Sequence, residues 1–217
     1  MKPIYHHLDS LIKRYPQLKN SEAEIINSFE ILKNCYKNKG KMLIAGNGGS
    51  ASDALHIVGE LMKGFTLKRN LDKKLCNTLE KFSSNAEYYK FNLQMPLPAI
   101  ALVNEISLMT AYGNDVAPDL IFAQQVLGYG KEGDVFLGIS TSGNSKNVIY
   151  AAEIAKALKM RVIGLTGENG GILSTIADIC IKVPESKTYR IQELHLPVYH
   201  ALCLELEKYF FERMGIE

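Results

Sequence analysis

His56 and Glu60 stand four residues apart in the stretch GNGGSASDALHIVGE (46–60). If that stretch coils into a helix, they share one face. An imidazole and a carboxylate so placed can bind a divalent ion, exchange a proton, or simply pair on a surface. A second set lies in RIQELHLPVYHALCLELE, where Gln192, Leu196 and His200 step by four. That spacing puts Gln192 and His200 on one side of a helix, two turns apart, while His195 points elsewhere and reads as a packing or surface histidine. Were the two helices to face each other, His56, Glu60, Gln192 and His200 would form a nitrogen and oxygen set suited to zinc or another divalent ion. The same groups could serve as acid and base. Pro197 falls between Gln192 and His200 and has no N–H to donate, so this helix is expected to kink or to begin late.

Three loops offer a different chemistry. GNGGSAS (46–52), STSGNS (140–145) and TGENGG (166–171) each follow an apolar run and are rich in Gly, Ser, Thr and Asn. Backbone amides and small hydroxyls at a helix N-terminus favour an anion. The first loop lacks the GKS or GKT of a Walker loop, and 46–51 read GNGGSA rather than GxGxxG, so a nucleotide site has little support. STSGNS is the more specific: Ser140, Thr141, Ser142 and Ser145 place four hydroxyls within six residues, which suits a terminal phosphate monoester. Taken singly, either loop could equally be caps and turns.

The elements that must position these groups alternate. Residues 4–38 read as two amphipathic helices parted near Tyr15-Pro16, the second opening SEAE in a capping-box pattern. A strand at Met42 to Ala45 leads through the first glycine loop into a helix over 50–64. Residues 66–95 are polar, charge-rich and weakly helical, and read as a solvated helical excursion. Strands follow in LPAIALV, GDVFLGIS, RVIGLTG and ADICIKVP, with helices between them and a long helix from about Tyr189 to the end. The strands are continuous apolar runs, as strands buried on both faces are, so the fold is α/β with a parallel sheet between helices. In such folds ligands sit beyond the carboxyl ends of the strands, where the glycine-rich loops lie.

Composition removes other classes. The chain has 217 residues, 25 basic and 23 acidic, interspersed to a net charge of +2, without the basic stripe that nucleic-acid binding needs. No run reaches the roughly 18 apolar residues of a membrane span, and the N-terminus lacks a signal-peptide core. Cys35, Cys76, Cys180 and Cys203 show no zinc or redox spacing, so idle thiols in a reducing, cytoplasmic setting are expected.

GNGGSASDALH with Glu60, GND at 113–115, GDVFLGISTSGNS, LTGENGG and RIQELHLPVYH together resemble the sugar isomerase (SIS) domain family, and within it the phosphoheptose isomerases, over nearly the whole chain. The resemblance implies a three-layer αβα fold with a five-stranded, flavodoxin-like parallel sheet. It implies an N-terminal helical arm (1–40) used in oligomerisation and a SIS domain (41–217) carrying the helical insertion around 66–95. It further implies a homotetramer with sites between subunits. Phosphate would be held by Ser140, Thr141, Ser142 and Ser145, with Asn47, Gly48, Gly49, Ser50, Asn114, Asp115 and Gln192 lining the sugar. Zinc would be held by His56, Glu60, Gln192 and His200, and Glu60 and His200 match the family's catalytic pair. The implied reaction converts sedoheptulose 7-phosphate to an aldose phosphate through a cis-enediol. The contrasting reading is a non-catalytic SIS regulator resembling the DnaA initiator-associating protein, which lacks the acid/base pair that this chain has. Three departures from the family bear on the sugar: Lys63-Gly64 where Gly-Arg is usual, Tyr189-Arg190 where Asp-Arg is usual, and the insertion itself.

Overall fold

The structure is a computed structural model that describes residues 5–212. In chain order its elements are α1 (His6–Arg14), a 3-10 helix (Pro16–Ser21), α2 (Glu22–Lys37), β1 (Met42–Gly46), α3 (Gly49–Met62), α4 (Lys73–Phe82), α5 (Ala86–Asn92), β2 (Ala99–Ala101), α6 (Ile106–Asp115), a 3-10 turn (Pro118–Leu120), α7 (Ile121–Tyr129), β3 (Val135–Ile139), α8 (Lys146–Ala157), β4 (Arg161–Thr166), α9 (Leu173–Ile176), β5 (Ile179–Lys182) and α10 (Thr188–Phe211). The five strands form one parallel sheet in the order β2-β1-β3-β4-β5. Every residue of β1 and β3 is buried, which is why these strands read as unbroken apolar runs.

Each face of the sheet has its own core. On one side Leu8, Phe29, Ile57, Leu61, Val198 and Leu202 join α1, α2, α3 and α10 to the strands. On the other, Phe122, Val126, Val148, Ala152 and Leu173 do the same for α7, α8 and α9. The strand order reverses direction between β1 and β3, whose ends pair at Gly46 and Ile139. That reversal opens the crevice in which doubly wound sheets take their ligands.

Three expectations are corrected. The capping box at Ser21 does not form: the 3-10 helix runs directly into α2, and the Ser21 hydroxyl donates to the Lys182 carbonyl at 2.5 Å instead. The last helix does not begin late, because α10 starts at Thr188 and continues through Pro197. An interior proline costs about 3 kcal/mol, but Ile191, Leu194, Val198, Leu202 and Leu206 are buried on the same helix, and burying each contributes roughly 1.5–3 kcal/mol. Packing wins. Finally, 66–95 is not solvated throughout. Its helices α4 and α5 bury only Ala86, but Arg69, at its root, is fully buried.

Candidate active site

The loops after β1 and β3 are neighbours at the crevice. Gly48 turns the first with φ +54°, a conformation that side chains rarely adopt, and α3 begins one residue later. Gly49 is packed from outside: a Cβ there would stand 2.4 Å from Nε2 of Gln192, so the α10 amide lies directly against this turn. Asn47 and Asn147 exchange two 2.9 Å side-chain hydrogen bonds, tying the loop to the start of α8. In STSGNS the Ser140 and Ser145 hydroxyls bond to each other at 2.9 Å, and the Asn144 amide donates to the Ser142 hydroxyl at 3.1 Å. Gly143 (φ +68°) lets this loop touch the third one so closely that a Cβ would sit 2.0 Å from the Gly170 carbonyl. Asn144 Oδ1 accepts from the Ile172 amide there. Beside Ser145, an open cavity of about 420 Å³ is lined by Asn47, Pro118, Asp119, Lys146 and Asn147. A cation, Lys146, and a carboxylate, Asp119, therefore both stand beside Ser145.

The second half of the site stands between α3 and α10. Both helices are amphipathic toward the same core, and packing Ile57 and Leu61 against Val198 and Leu202 brings their polar residues edge to edge. His56 Nε2 is 3.3 Å from Glu60 Oε1. The His56 and His200 rings meet edge to face with centroids 4.9 Å apart. His56 Nδ1 is 2.9 Å from the Tyr199 hydroxyl, which in turn donates to Asp53 Oδ1 at 3.3 Å. Burial holds His200 below the usual imidazole range, and the neighbouring His56 and Arg14 push the same way against Glu60. A neutral imidazole with one donor and one acceptor nitrogen results. Burial raises the Asp53 carboxyl, with the Tyr199 hydrogen bond opposing it, and burial followed by the Asp53 charge raises the Tyr199 phenol. Glu60 Oε2, Asp53 Oδ2 and His200 Nε2 are buried without a hydrogen-bond partner. Beyond His200 a cavity of about 210 Å³ opens between α1 and α10, lined by His7, Arg14, Glu193, Pro197 and Leu204.

The structure thus joins His56, Glu60 and His200, and separately Gln192 with the Gly48-Gly49 turn. Asn114 and Asp115 end α6, are exposed and bond to each other at 2.8 Å. His195 is not at the surface: it is fully buried, and burial holds its pKa down at about 4 against the Thr166 carbonyl. Among the described residues no three His, Cys, Asp or Glu side chains already stand in an ion-holding group. The donor types nonetheless fit a divalent ion such as zinc, and Glu60 and His200 each keep a side-chain atom without a hydrogen-bond partner. The sequence reading missed Asp53 and Tyr199, although their positions three residues before His56 and one before His200 carried a signal. Lys63 Nζ lies 3.9 Å from Glu60 Oε2. At Gly64 a Cβ would stand 2.2 Å from the Leu67 carbonyl and 2.5 Å from Oε1 of Gln94, so a side chain there would meet both ends of the 66–95 segment. Tyr189 is exposed, with the Arg190 guanidinium 5.8 Å from its ring.

Comparison with known proteins follows the same lines. The SIS domain family matches residues 90–167. The chain is 39% identical over 209 residues to phosphoheptose isomerase 2 of Campylobacter jejuni, covering 95% of this chain and 91% of that one. It is 40% identical over 176 residues to the phosphoheptose isomerase of Aneurinibacillus thermoaerophilus, covering 81% and 76%. Among solved structures, the phosphoheptose isomerase of Neisseria gonorrhoeae superposes with a TM-score of 0.72 at 33% identity, over 93% of this chain and 95% of that one.

Proposed function

Because the chain belongs to the phosphoheptose isomerase family of SIS-domain proteins, we propose that it interconverts sedoheptulose 7-phosphate and the corresponding aldoheptose 7-phosphate. The observation that carries this reading is that His56 stands against Glu60 on its own helix and against His200 on α10, while Glu60 and His200 each keep a buried atom without a hydrogen-bond partner. The phosphate lies among Ser140, Thr141, Ser142 and Ser145 at the start of α8, where hydroxyls and first-turn amides oppose its charge. The sugar chain extends past Asn47 to Ser50 and Gln192, with Asn114 and Asp115 toward its far side. Glu60 removes the proton from C1 of the open-chain ketose and returns it to C2. His200, neutral and carrying both a donor and an acceptor, shuttles the proton between O1 and O2 across the cis-enediol. A divalent ion held by His56, Glu60, Gln192 and His200 would polarise the sugar carbonyl.

The reading extends to a cytoplasmic homotetramer with sites between subunits. Supporting it are the half-open α1–α10 cavity beside His200 and the exposed Ile106 and Val116 on and after α6. No described helix is long and apolar enough to cross a membrane. The test is a panel of C5 to C7 ketose phosphates incubated with the protein, with and without chelator, and followed by NMR for aldose formation. Turnover of the C7 substrate, diminished by chelator, is expected. Absence of turnover on every member would favour the non-catalytic regulator instead, and light scattering showing a monomer would remove the shared sites.

A further inference from the structure

Among the described residues, one fully hydrogen-bonded buried ion pair lies outside the reacting groups. Arg69 is 0% exposed and Glu207 is 1% exposed, and their side chains meet at 2.9 Å. Arg69 spends its other donors on the end of α3: Nη1 donates to the Leu61 carbonyl at 2.6 Å and Nη2 to the Glu60 carbonyl at 3.0 Å. Those are C-terminal carbonyls that the helix itself cannot satisfy. Glu207 Oε1 also accepts from the Phe65 amide, and Oε2 accepts from the Thr66 amide, the Thr66 hydroxyl and the Leu67 amide. The Arg69 guanidinium lies over the Phe211 ring at 4.7 Å. Glu207 stands seven residues after His200 on α10, hence on the same face. One ion pair therefore spans from the backbone of Glu60 to the helix that carries His200.

We propose that Arg69 and Glu207 are positioning residues for the isomerisation, a clamp that holds the last turn of α3, and with it Glu60, in register with His200. The proposal rests on the isomerase reading for its chemistry and on hydrogen bonds alone for its geometry. A buried pair of this kind contributes little net stability over an apolar replacement, because both charges are stripped of water. What it supplies here is direction. A guanidinium fork can bond two successive carbonyls and a carboxylate at once, and a lysine cannot. The pair also separates the site from the insertion. The Arg69 carbonyl accepts from the Met95 amide at 2.8 Å, so the neck of the insertion closes at the clamp.

The test uses Arg69→Met, Arg69→Lys and the double variant Arg69→Met/Glu207→Gln in the full chain. Arg69→Met alone strands a buried carboxylate and is expected to lower Tm, whereas the double variant removes that charge and recovers most of it. If the clamp positions Glu60, the folded double variant still loses about 100-fold in kcat, because a displacement on the order of 1 Å costs that much. KM for the sugar phosphate changes by no more than about twofold, since STSGNS is untouched, and Arg69→Lys falls between parent and double variant. A folded double variant with parental kcat, or one whose loss is confined to KM, overturns the proposal. Amide exchange at Phe65, Thr66 and Leu67 supplies a readout free of activity. Slow exchange in the parent and fast exchange in the double variant support the clamp, and equal rates in both overturn it. A parent that isomerises no sugar phosphate would sink the functional reading, and the exchange rates would still decide whether the pair holds this turn.

Discussion

At the strand ends, polar groups satisfy one another: Ser140 with Ser145, Asn47 with Asn147, Asn144 with the Ser142 carbonyl and the Ile172 amide. Between α3 and α10 they do not. Asp53, Glu60 and His200 each keep a buried atom without a hydrogen-bond partner. The loops are turned by glycines and laced to one another by these bonds. The helix pair is assembled from residues more than a hundred positions apart, and its unspent hydrogen-bonding capacity is what chemistry can use. The proposed function divides binding and reactivity between these two regions, and substitutions should separate them.

The largest effect is expected at the helix pair. His200→Gln should lower kcat by about 100- to 10,000-fold, the usual worth of a general acid–base group, with circular dichroism unchanged. A comparable rise in KM with intact kcat would erase the division between regions. Next comes the phosphate loop: Ser145→Ala removes one hydroxyl from an anionic ligand, worth about 1.5–3 kcal/mol. It should therefore reduce kcat/KM by roughly tenfold or more, chiefly through KM. Gly143→Ala sharpens the same side in stability rather than kinetics. The Cβ would meet backbone 2.0 Å away in a positive-φ position, so Tm should fall and phosphate protection should weaken, as calorimetry can show.

Acidity probes the other side. His195 folds with its pKa at about 4 against an ordinary 6.5, because burial disfavours its charge. The unfolded chain therefore takes up a proton first, and this histidine's contribution to stability is complete above pH 6.5 and lost as pH falls toward 4. His195→Gln should flatten that part of a denaturation profile. The smallest effect should follow from replacing 72–92 by a short glycine-rich turn. The neck at Arg69 and Met95 is already closed, so kcat should stay within about twofold, as excursions with little buried surface tolerate.

The legible part of this molecule was what repeats locally. Continuous apolar runs gave the parallel sheet, glycine-rich strand ends gave the crevice, and i,i+4 spacing put His56 beside Glu60. Pro197 did not delay the helix, because a local rule about a missing N–H met a helix face buried along its length. Ser21 misled because its hydroxyl found a partner on β5, 161 residues away. Arg69 was hidden in a charge-rich segment whose other members are solvated, and only the partner at Glu207 distinguishes it. Asp53 and Tyr199 had the right spacing but gained meaning only when α3 and α10 met.

The central claim is that Glu60 moves the proton between C1 and C2. Its most direct test is solvent deuterium incorporation at those carbons of sedoheptulose 7-phosphate, comparing the parent with Glu60→Gln in a folded, phosphate-binding state. The account predicts incorporation by the parent and essentially none by the variant. Exchange by Glu60→Gln at the parental rate would contradict it.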